Sequence, residues 1–241
     1  MKKISTHMFW AYGEFSRLER ICANSFIKNG YDLNIWTYGN SKFIDGATVR
    51  DASAIISEDH VFLNKRGSYA SFSDIFRYQI LHIFGGLYVD TDVIALKSHI
   101  YFPEHSFLVT ERTPQNSLIV NNNIIYNPKP KMGNIIDLAR VYANRFPKNE
   151  INWSELGPKL ITSLVSLNEN HGFKIYKPNF GNTIDYWRCP EDLIESQKTP
   201  IPNESLFLHL YNEMWNRKSI DKNSKHHNNS VFEKLAQIYE P

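Results

Sequence analysis

Strand-like and helix-like patterns of apolar residues alternate along the first half of the chain. Residues 16–30 predict a helix, because Leu18, Ile21 and Phe26 recur near helical spacing and Gly30 follows as a stop. The other segments predicted in this half are strands at 2–10, 31–38 and 46–52, a helix at 69–86 and a strand at 87–96. Each predicted helix therefore lies between predicted strands.

The second half of the chain continues this alternation before it becomes irregular. The predicted segments are strands at 105–112, 117–128 and 172–178, helices near 131–146 and 155–170, and a terminal amphipathic helix at 231–240. Alternating strands and helices imply an α/β fold with a mainly parallel sheet flanked by helices. We expect a single domain over 1–241, with the terminal helix docked on the core rather than on a membrane surface.

The helix predicted at 69–86 has polar residues beside its apolar stripe. Ser73, Asp74 and Arg77 are related by steps of three and four residues, so they share one arc of the helix. A surface Asp–Arg pair with a neighbouring hydroxyl is the simplest interpretation, since most such pairs are ordinary. The Gly85–Gly86 pair that ends the helix turns the chain into the next strand.

Two aspartates are set into the apolar strand predicted at 87–96. Side chains alternate in direction along a strand, so Tyr88, Asp90 and Asp92 are predicted to face one side. Charges are costly in apolar surroundings unless they are paired or bind a metal. Carboxylate oxygens suit Mg²⁺ or Mn²⁺, and α/β folds place ligands at the carboxyl ends of their strands. The pattern therefore predicts a divalent-metal site at Asp90 and Asp92.

Composition and charge exclude some classes of protein. The 241 residues carry 27 basic and 25 acidic side chains, a formal net charge of +2, which does not favour nucleic-acid binding. Two cysteines, Cys22 and Cys189, make neither a disulfide framework nor a zinc spacing, and Cys22 fits a buried helical position. No signal peptide and no apolar run of about 20 residues is visible. A cytoplasmic location is the default expectation.

The segment "FSDIFRYQILHIFGGLYVDTDV", residues 72–93, closely resembles the signature of the DXD-motif sugar-transferase family. That family includes bacterial capsule and lipopolysaccharide glycosyltransferases, yeast initiating α-mannosyltransferases and animal α-1,4-galactosyltransferases, with the glucosylating clostridial toxins as distant relatives. Further family-like segments are "FWAYGEFSRLERICANSFIKNGYDLNIWTY", "GATVRDASAII", "VNNNIIYNPK", "LGPKLIT" and "HLYNEMWNRK". The resemblance implies a GT-A fold, a nucleotide-sugar donor, a divalent metal and retention at the anomeric carbon.

The resemblance also implies a role for individual residues. Asp92 would bind the metal that bridges the donor diphosphate, and Asp90 would contact the ribose and the sugar, with metal contact left open. Asp74 and Arg77 would hold hydroxyls of the transferred sugar. The remaining implied donor contacts are Ser73 and Tyr88 on the nucleotide side, Trp10 on the base and Asn122 near the donor sugar. Residues 1–127 would then bind the donor, and 128–241 would supply the acceptor side and a lid.

Several of these roles have alternatives that the sequence leaves open. Trp10 could fill the core instead of stacking on a base. His209 would be a third metal ligand or a hydrogen-bonded histidine that holds the C-terminal loop. Asn121 or Asn123 could take the place of Asn122 through a register error. Asn212 and Trp215 are predicted in a lid, and the other histidines, including His226–His227, in exposed loops.

The expected function is that of a metal-dependent, retaining glycosyltransferase of bacterial capsule- or lipopolysaccharide-type polysaccharide synthesis. It would move a hexose or N-acetylhexosamine from a nucleotide sugar, with UDP favoured over GDP, to a glycan or lipid-linked acceptor. No nucleic-acid partner and no transmembrane segment are expected, and contact with the inner face of the membrane stays open. The alternatives are a protein-glycosylating effector and a non-catalytic nucleotide-sugar or glycan-binding protein on the same fold.

Overall fold

The structure is a computed structural model that describes residues 3–39, 44–130, 132–148, 151–152, 154–195 and 200–240. Its strands are β1 (Ser5–Phe9), β2 (Asp32–Thr37), β3 (Thr48–Asp51), β4 (Gly86–Val89), β5 (Val93–Ala95), β6 (Phe107–Arg112), β7 (Leu118–Asn127), β8 (Lys174–Tyr176) and β9 (Phe207–His209). Its helices are α1 (Arg17–Lys28), α2 (Ala70–Ile83), α3 (Ile135–Ala143), α4 (Leu160–Leu167), α5 (Glu191–Ile194), α6 (Asn212–Arg217) and α7 (Val231–Tyr239).

Seven of these strands form one sheet in the order β3-β2-β1-β4-β7-β6-β8. The pairs β1–β2, β2–β3, β1–β4 and β6–β8 are parallel, whereas β7 runs antiparallel to both β4 and β6. Helices α2, α3 and α4 pack on one face through a large apolar cluster, and α1 packs on the other. The predicted α/β fold with a mainly parallel sheet is confirmed.

The two glycines after α2 are needed for the close packing of the chain where β4 begins. Gly85 and Gly86 both have positive φ, 66° and 89°. A Cβ on Gly86 would lie 2.6 Å from the carbonyl oxygen of Ser5 in the neighbouring strand β1. Only glycine combines this backbone conformation with such a close approach. The glycines thereby fix the register that brings the end of β4 beside the end of β1.

The prediction of a single strand over 87–96 is wrong. β4 ends at Val89, the amide of Val93 donates to the carbonyl of Asp90 in a tight turn, and β5 then pairs with β9 in a separate ribbon. The ladder of β4 and β7 ends at the Val89–Ile124 pair, and the amide of Asp90 makes a last bond to the carbonyl of Asn123 before the turn. Asp90 and Asp92 therefore lie in a turn, and strand alternation does not set their directions.

The C-terminal segments pack back onto α1. β9 pairs with β5 so that His209 lies opposite Val93. Helix α7 buries Phe232 and Leu235 against α1, as expected for a helix docked on the core. The single domain over 1–241 and its division at residue 127 stay predictions.

Other details of the sequence-based predictions need correction. The helix predicted at 155–170 is α4 preceded by a wider turn, Glu155–Lys159, that contains Pro158. The helix predicted near 131–146 is reduced to α3, and Lys131 lies outside the described residues. Three further predicted positions are wrong: His7 is buried in β1, His226 is half-buried, and Trp215 lies fully within the core.

Candidate active site

The polar residues singled out in the sequence converge at the carboxyl ends of β1 and β4. Two cavities meet there, an outer one of ≈ 520 Å³ and an inner one of ≈ 180 Å³. They share Arg77, Asp90 and Asp92 as common walls. Ligands of open α/β sheets bind in this position, outside the ends of the strands.

The outer cavity has walls from three parts of the chain. Trp10 follows β1, Ser73 comes from α2, and Asn212 begins α6. The indole Nε1 of Trp10 and the amide Oδ1 of Asn212 are buried without a hydrogen-bond partner among the described residues. Buried polar atoms are normally satisfied, so these two atoms are free to bind a polar ligand.

Arg77 is the buried centre that connects the two cavities. Its Nη2 lies 2.9 Å from Asp90 Oδ1 and 3.3 Å from Asp74 Oδ1, and its Nη1 donates to the carbonyl of Asn122 at 2.5 Å. The same guanidinium lies 5.0 Å from the centre of the Tyr88 ring. These contacts use the planar fork of arginine to hold two carboxylates in place.

The amide of Asn122 extends this network toward the inner cavity. Its Nδ2 donates to Asp74 Oδ1 at 2.8 Å and lies 3.1 Å from the hydroxyl of Tyr78. Gly157 packs directly against the pair, because a Cβ at that position would lie 3.0 Å from both Asn122 Oδ1 and Asp74 Oδ2. The carboxyl of Asp74 is thus held from three sides.

Burial makes the carboxyl groups of Asp74 and Asp90 weaker acids than usual. Burial raises the pKa of Asp74, although Arg77 and Asn122 oppose the shift. Burial likewise raises the pKa of Asp90 to about 6. The positive charge of Arg77 opposes this shift, and the negative charge of Asp92 adds to it. Burial lowers the pKa of Arg77, but the two carboxylates raise it more, so the guanidinium stays charged. Shifted carboxyls in a cleft are typical of functional sites.

Asp92 and His209 meet because β5 pairs with β9. His209 Nε2 lies 3.2 Å from Asp92 Oδ2, and the backbone amide of Asn212 donates to the same oxygen at 2.7 Å. Burial alone would raise the pKa of Asp92, but the charge and hydrogen bond of His209 and the amide of Asn212 lower it overall. Burial lowers the pKa of His209, and Asp92 raises it above its usual value.

A divalent cation fits the group formed by Asp90, Asp92 and His209. One ligand atom from each residue lies within 4.8 Å of the others. Asp92 Oδ1 and His209 Nδ1 are buried and lack a hydrogen-bond partner in the described part of the chain. Two carboxylates and an imidazole are a donor set that Mn²⁺ accepts.

The structure separates the predicted site residues into three groups. Trp10 and Ser73 line the outer cavity, Asp74, Asn122 and His209 line the inner one, and Arg77, Asp90 and Asp92 line both. Tyr88 is the exception, because it is fully buried and lines neither cavity. Its hydroxyl instead lies 3.2 Å from Ser73 Oγ and positions that residue.

The sequence-based prediction missed several residues of the site, and three of them contact or neighbour the predicted ones. Glu111 and Tyr211 line the inner cavity, and Gly157 packs on Asp74 and Asn122. Glu111 lies one residue before the end of a strand, where glutamates are usually solvated, and Gly157 stands before a proline as many loop glycines do. The family-like segments at 156–162 and 209–218 were the only signal, and they do not specify contacts.

Residues 16–113 match a family model described as "Glycosyltransferase sugar-binding region containing DXD motif". The matched region contains the residues from Ser73 to Asp92 and ends before Asn122 and His209. A comparison with curated proteins gave no match.

One solved glycosyltransferase structure shares the fold, and others match at lower TM-scores. Apo GlyE of Streptococcus pneumoniae TIGR4 superposes with a TM-score of 0.52 at 14% identity, covering 92% of this chain and 61% of GlyE. The PaToxG glycosyltransferase matches with a TM-score of 0.47 at 20% identity over 69% of each chain. The bifunctional glycosyltransferase WbbM matches with a TM-score of 0.42 at 8% identity, covering 98% of this chain and 51% of WbbM. This chain thus spans about three-fifths of the length of GlyE.

The mainly parallel sheet, with an Asp-x-Asp turn at the end of a strand, agrees with the GT-A fold that the sequence resemblance implies. The family match over residues 16–113 and the fold shared with GlyE both support the DXD-motif glycosyltransferase family for this chain.

Proposed function

We propose that the chain is a metal-dependent glycosyltransferase that moves a hexose or N-acetylhexosamine from a nucleotide sugar to a glycan acceptor. The observation that carries the proposal is the junction of the two cavities, where ligand atoms of Asp90, Asp92 and His209 lie within 4.8 Å of one another. A nucleotide in the outer cavity and a sugar in the inner cavity would place the bond between them beside this group.

The metal would be held by Asp90, Asp92 and His209, with Mn²⁺ or Mg²⁺ as the candidates. When bound, such a cation stabilises the negative charge that develops on the leaving diphosphate as a Lewis acid. The backbone amide of Asn212 and the imidazole of His209 keep the Asp92 carboxyl ionised and oriented for this role.

The transferred sugar would be oriented by residues around the inner cavity. Asp74, Arg77 and Asp90 are locked together by ion pairs, so their free oxygen and nitrogen atoms form a fixed pattern for sugar hydroxyls. Asn122 holds Asp74 from the other side. Such fixed contacts bring the anomeric carbon and the acceptor hydroxyl into a reactive arrangement.

The nucleotide would lie in the outer cavity between the end of β1 and the start of α6. Trp10 Nε1 and Asn212 Oδ1, both buried and without partners in the described chain, supply one donor and one acceptor for it. Ser73, positioned by Tyr88, would add a hydroxyl. We propose contact of Trp10 with the base, because it lines the outer cavity at the end of β1 with an indole N–H that is free within the described chain.

The finer features of the proposal are supported by the sequence resemblance. UDP is the favoured carrier, transfer with retention is the favoured stereochemistry, and a capsule- or lipopolysaccharide-type glycan is the favoured acceptor. The reaction would take place in the cytoplasm, with the inner membrane face as the site of a lipid-linked acceptor. No helix of the described residues has the length and apolar character needed to cross a bilayer.

Donor hydrolysis by the purified protein tests the proposal. UDP-glucose, UDP-galactose, UDP-N-acetylglucosamine and GDP-mannose are each incubated with Mn²⁺, and the released sugar is measured. At least one donor should be hydrolysed, and Asp92→Asn should lower that rate roughly a hundredfold or more, because several kcal/mol of charge stabilisation are lost. Asp59→Asn, an exposed site outside both cavities, is the control. Equal rates in wild type and Asp92→Asn would refute the assignment.

A further inference from the structure

Glu111 is a buried carboxylate that faces the inner cavity. It belongs to β6, is 7% exposed, and lines the cavity together with Asn121 and Tyr211. Burial raises the pKa of its carboxyl, although hydrogen bonds from these two side chains oppose the shift. Among the described residues, Glu111 has no ion pair with a lysine or arginine. Burying such an acid costs free energy unless it is paired or hydrogen-bonded, which suggests that it binds a ligand.

Tyr211 has a strained backbone conformation and lies near both Glu111 and His209. It adopts the left-handed region, with φ 53° and ψ 59°, although it is not a glycine. Its ring lies 3.8 Å from the His209 ring, centre to centre, and its side chain lines the inner cavity together with Glu111. Strain of this kind concentrates at functional sites, where surrounding contacts impose it. Tyr211 therefore lies against His209 and in the same cavity wall as Glu111.

The order of strands places Glu111 at the far end of the site. Along the sheet, β1 leads to Trp10, β4 leads to Asp90, β7 carries Asn122 and β6 carries Glu111. A donor whose base lies near Trp10 and whose diphosphate lies near Asp90 has its sugar beyond that point. With a donor in this orientation, the carboxyl of Glu111 would lie farther from the nucleotide than Asn122 does, on the side of the sugar.

We propose that Glu111 accepts a hydrogen bond from a carbohydrate hydroxyl in the inner cavity and thereby selects the sugar that is bound. This inference rests on the proposed function. The hydroxyl belongs either to the transferred sugar or to the acceptor sugar. Asn121 and Tyr211 lie in the same cavity wall as the carboxyl, and the acceptor capacity of Glu111 toward the cavity is directed to the ligand.

The test compares wild type with Glu111→Gln, which keeps the size of the side chain and an oxygen for Asn121 and Tyr211. Calorimetry with Mn²⁺ measures binding of UDP, of the UDP-hexoses and of their monodeoxy analogues, and of methyl hexosides in the presence of UDP. Glu111→Gln should bind UDP as wild type does. It should bind a UDP-hexose or a methyl hexoside about tenfold more weakly, because a hydrogen bond between the buried carboxyl and a sugar hydroxyl is lost.

The deoxy analogues separate a binding role from a merely structural one. Removing the hydroxyl that Glu111 contacts should weaken binding to wild type but leave binding to Glu111→Gln unchanged. A loss confined to UDP-hexoses identifies the transferred sugar, and a loss confined to methyl hexosides identifies the acceptor. Glu104→Gln, an exposed residue before β6, is the control.

Two results would overturn the proposal for Glu111. Equal responses of wild type and Glu111→Gln to every sugar and every deoxy analogue would exclude a contact with carbohydrate. Weaker binding of UDP itself by Glu111→Gln would show that the residue supports the cavity as a whole. Because binding is measured, both results stand apart from a failure of wild type to turn over any donor, which would contradict the proposed function instead.

Discussion

At the residue scale, Arg77 determines whether the carboxylates of the site can stay buried. It pairs with Asp74 and Asp90 and donates to the carbonyl of Asn122. We predict that Arg77→Ala lowers the free energy of unfolding by about 3–5 kcal/mol, because it leaves buried carboxylates unpaired. Arg77→Lys should cost less, because it keeps the charge and loses only the fork. Urea denaturation measures both, and a loss below about 1 kcal/mol in Arg77→Ala would contradict the prediction.

His7 gives a second residue-scale prediction, on stability against pH. Its Nδ1 accepts from Trp36 Nε1 at 3.2 Å, so the folded state favours the neutral ring. Burial lowers its pKa from 6.5 to about 4, with a smaller contribution of the same sign from Arg50. Below pH 6.5 the unfolded state binds a proton that the folded state does not. The stability from this residue is therefore complete above pH 6.5 and is lost as the pH falls toward 4.

The size of this pH effect is roughly 3 kcal/mol at about 1.4 kcal/mol per pKa unit. We expect the unfolding free energy of wild type to fall more between pH 7 and pH 4.5 than that of His7→Gln, whose amide oxygen still accepts from Trp36. Urea titrations at several pH values give the two slopes. Parallel slopes would show that His7 does not hold a neutral ring in the folded state.

At the element scale, the turn before α4 completes the sugar side of the site. Gly157 has a φ of −94° and a ψ of −116°, outside the helical range, and packs against Asp74 and Asn122. We predict that Gly157→Ala lowers donor hydrolysis on the order of tenfold to a hundredfold, since its Cβ must displace these side chains. Steady-state rates with the donor found for wild type provide the measurement.

Gly172→Ala is the matched control for that substitution. Gly172 has a φ of +76°, and a Cβ there would meet nothing within 4 Å. The control should therefore cost about 1 kcal/mol of stability through the backbone and leave hydrolysis unchanged. Equal activity in the two alanine variants would contradict a role for Gly157 in shaping the sugar side.

Helix α2 and its glycine end were predictable, because periodicity and two adjacent glycines are local signals. The polar arc of Ser73, Asp74 and Arg77 followed from the same spacing. The turn at Asp90–Val93 was not predictable, because the apolar run continues through it and only the partner strands show the break. Glu111 was missed for a related reason, since its burial depends on β9 and Tyr211, far along the chain.

At the scale of the whole molecule, a buried ion pair connects helix α7 to helix α1. Arg17 Nη1 lies 2.7 Å from Glu233 Oε1, and its Nε lies 2.8 Å from Glu240 Oε1. We predict that Arg17→Ala costs about 3 kcal/mol or more, because it leaves the Glu233 carboxylate buried and unpaired.

Glu240→Gln provides the comparison, since its side chain is 41% exposed. It should cost less than about 1 kcal/mol, as exposed ion pairs do. Urea denaturation of both variants measures the difference. A similar small loss in both would show that α7 is not anchored by this pair.

The central claim is that the group formed by Asp90, Asp92 and His209 binds a metal that recruits the diphosphate of the donor. Calorimetric titration of UDP and of GDP, with Mn²⁺ and with a chelator, tests it most directly. For at least one nucleotide, wild type and Asp59→Asn should bind about tenfold or more tightly with Mn²⁺, a gain of about 1.4 kcal/mol. Asp92→Asn should lose that gain. Affinities that do not change with Mn²⁺ in wild type would contradict the account.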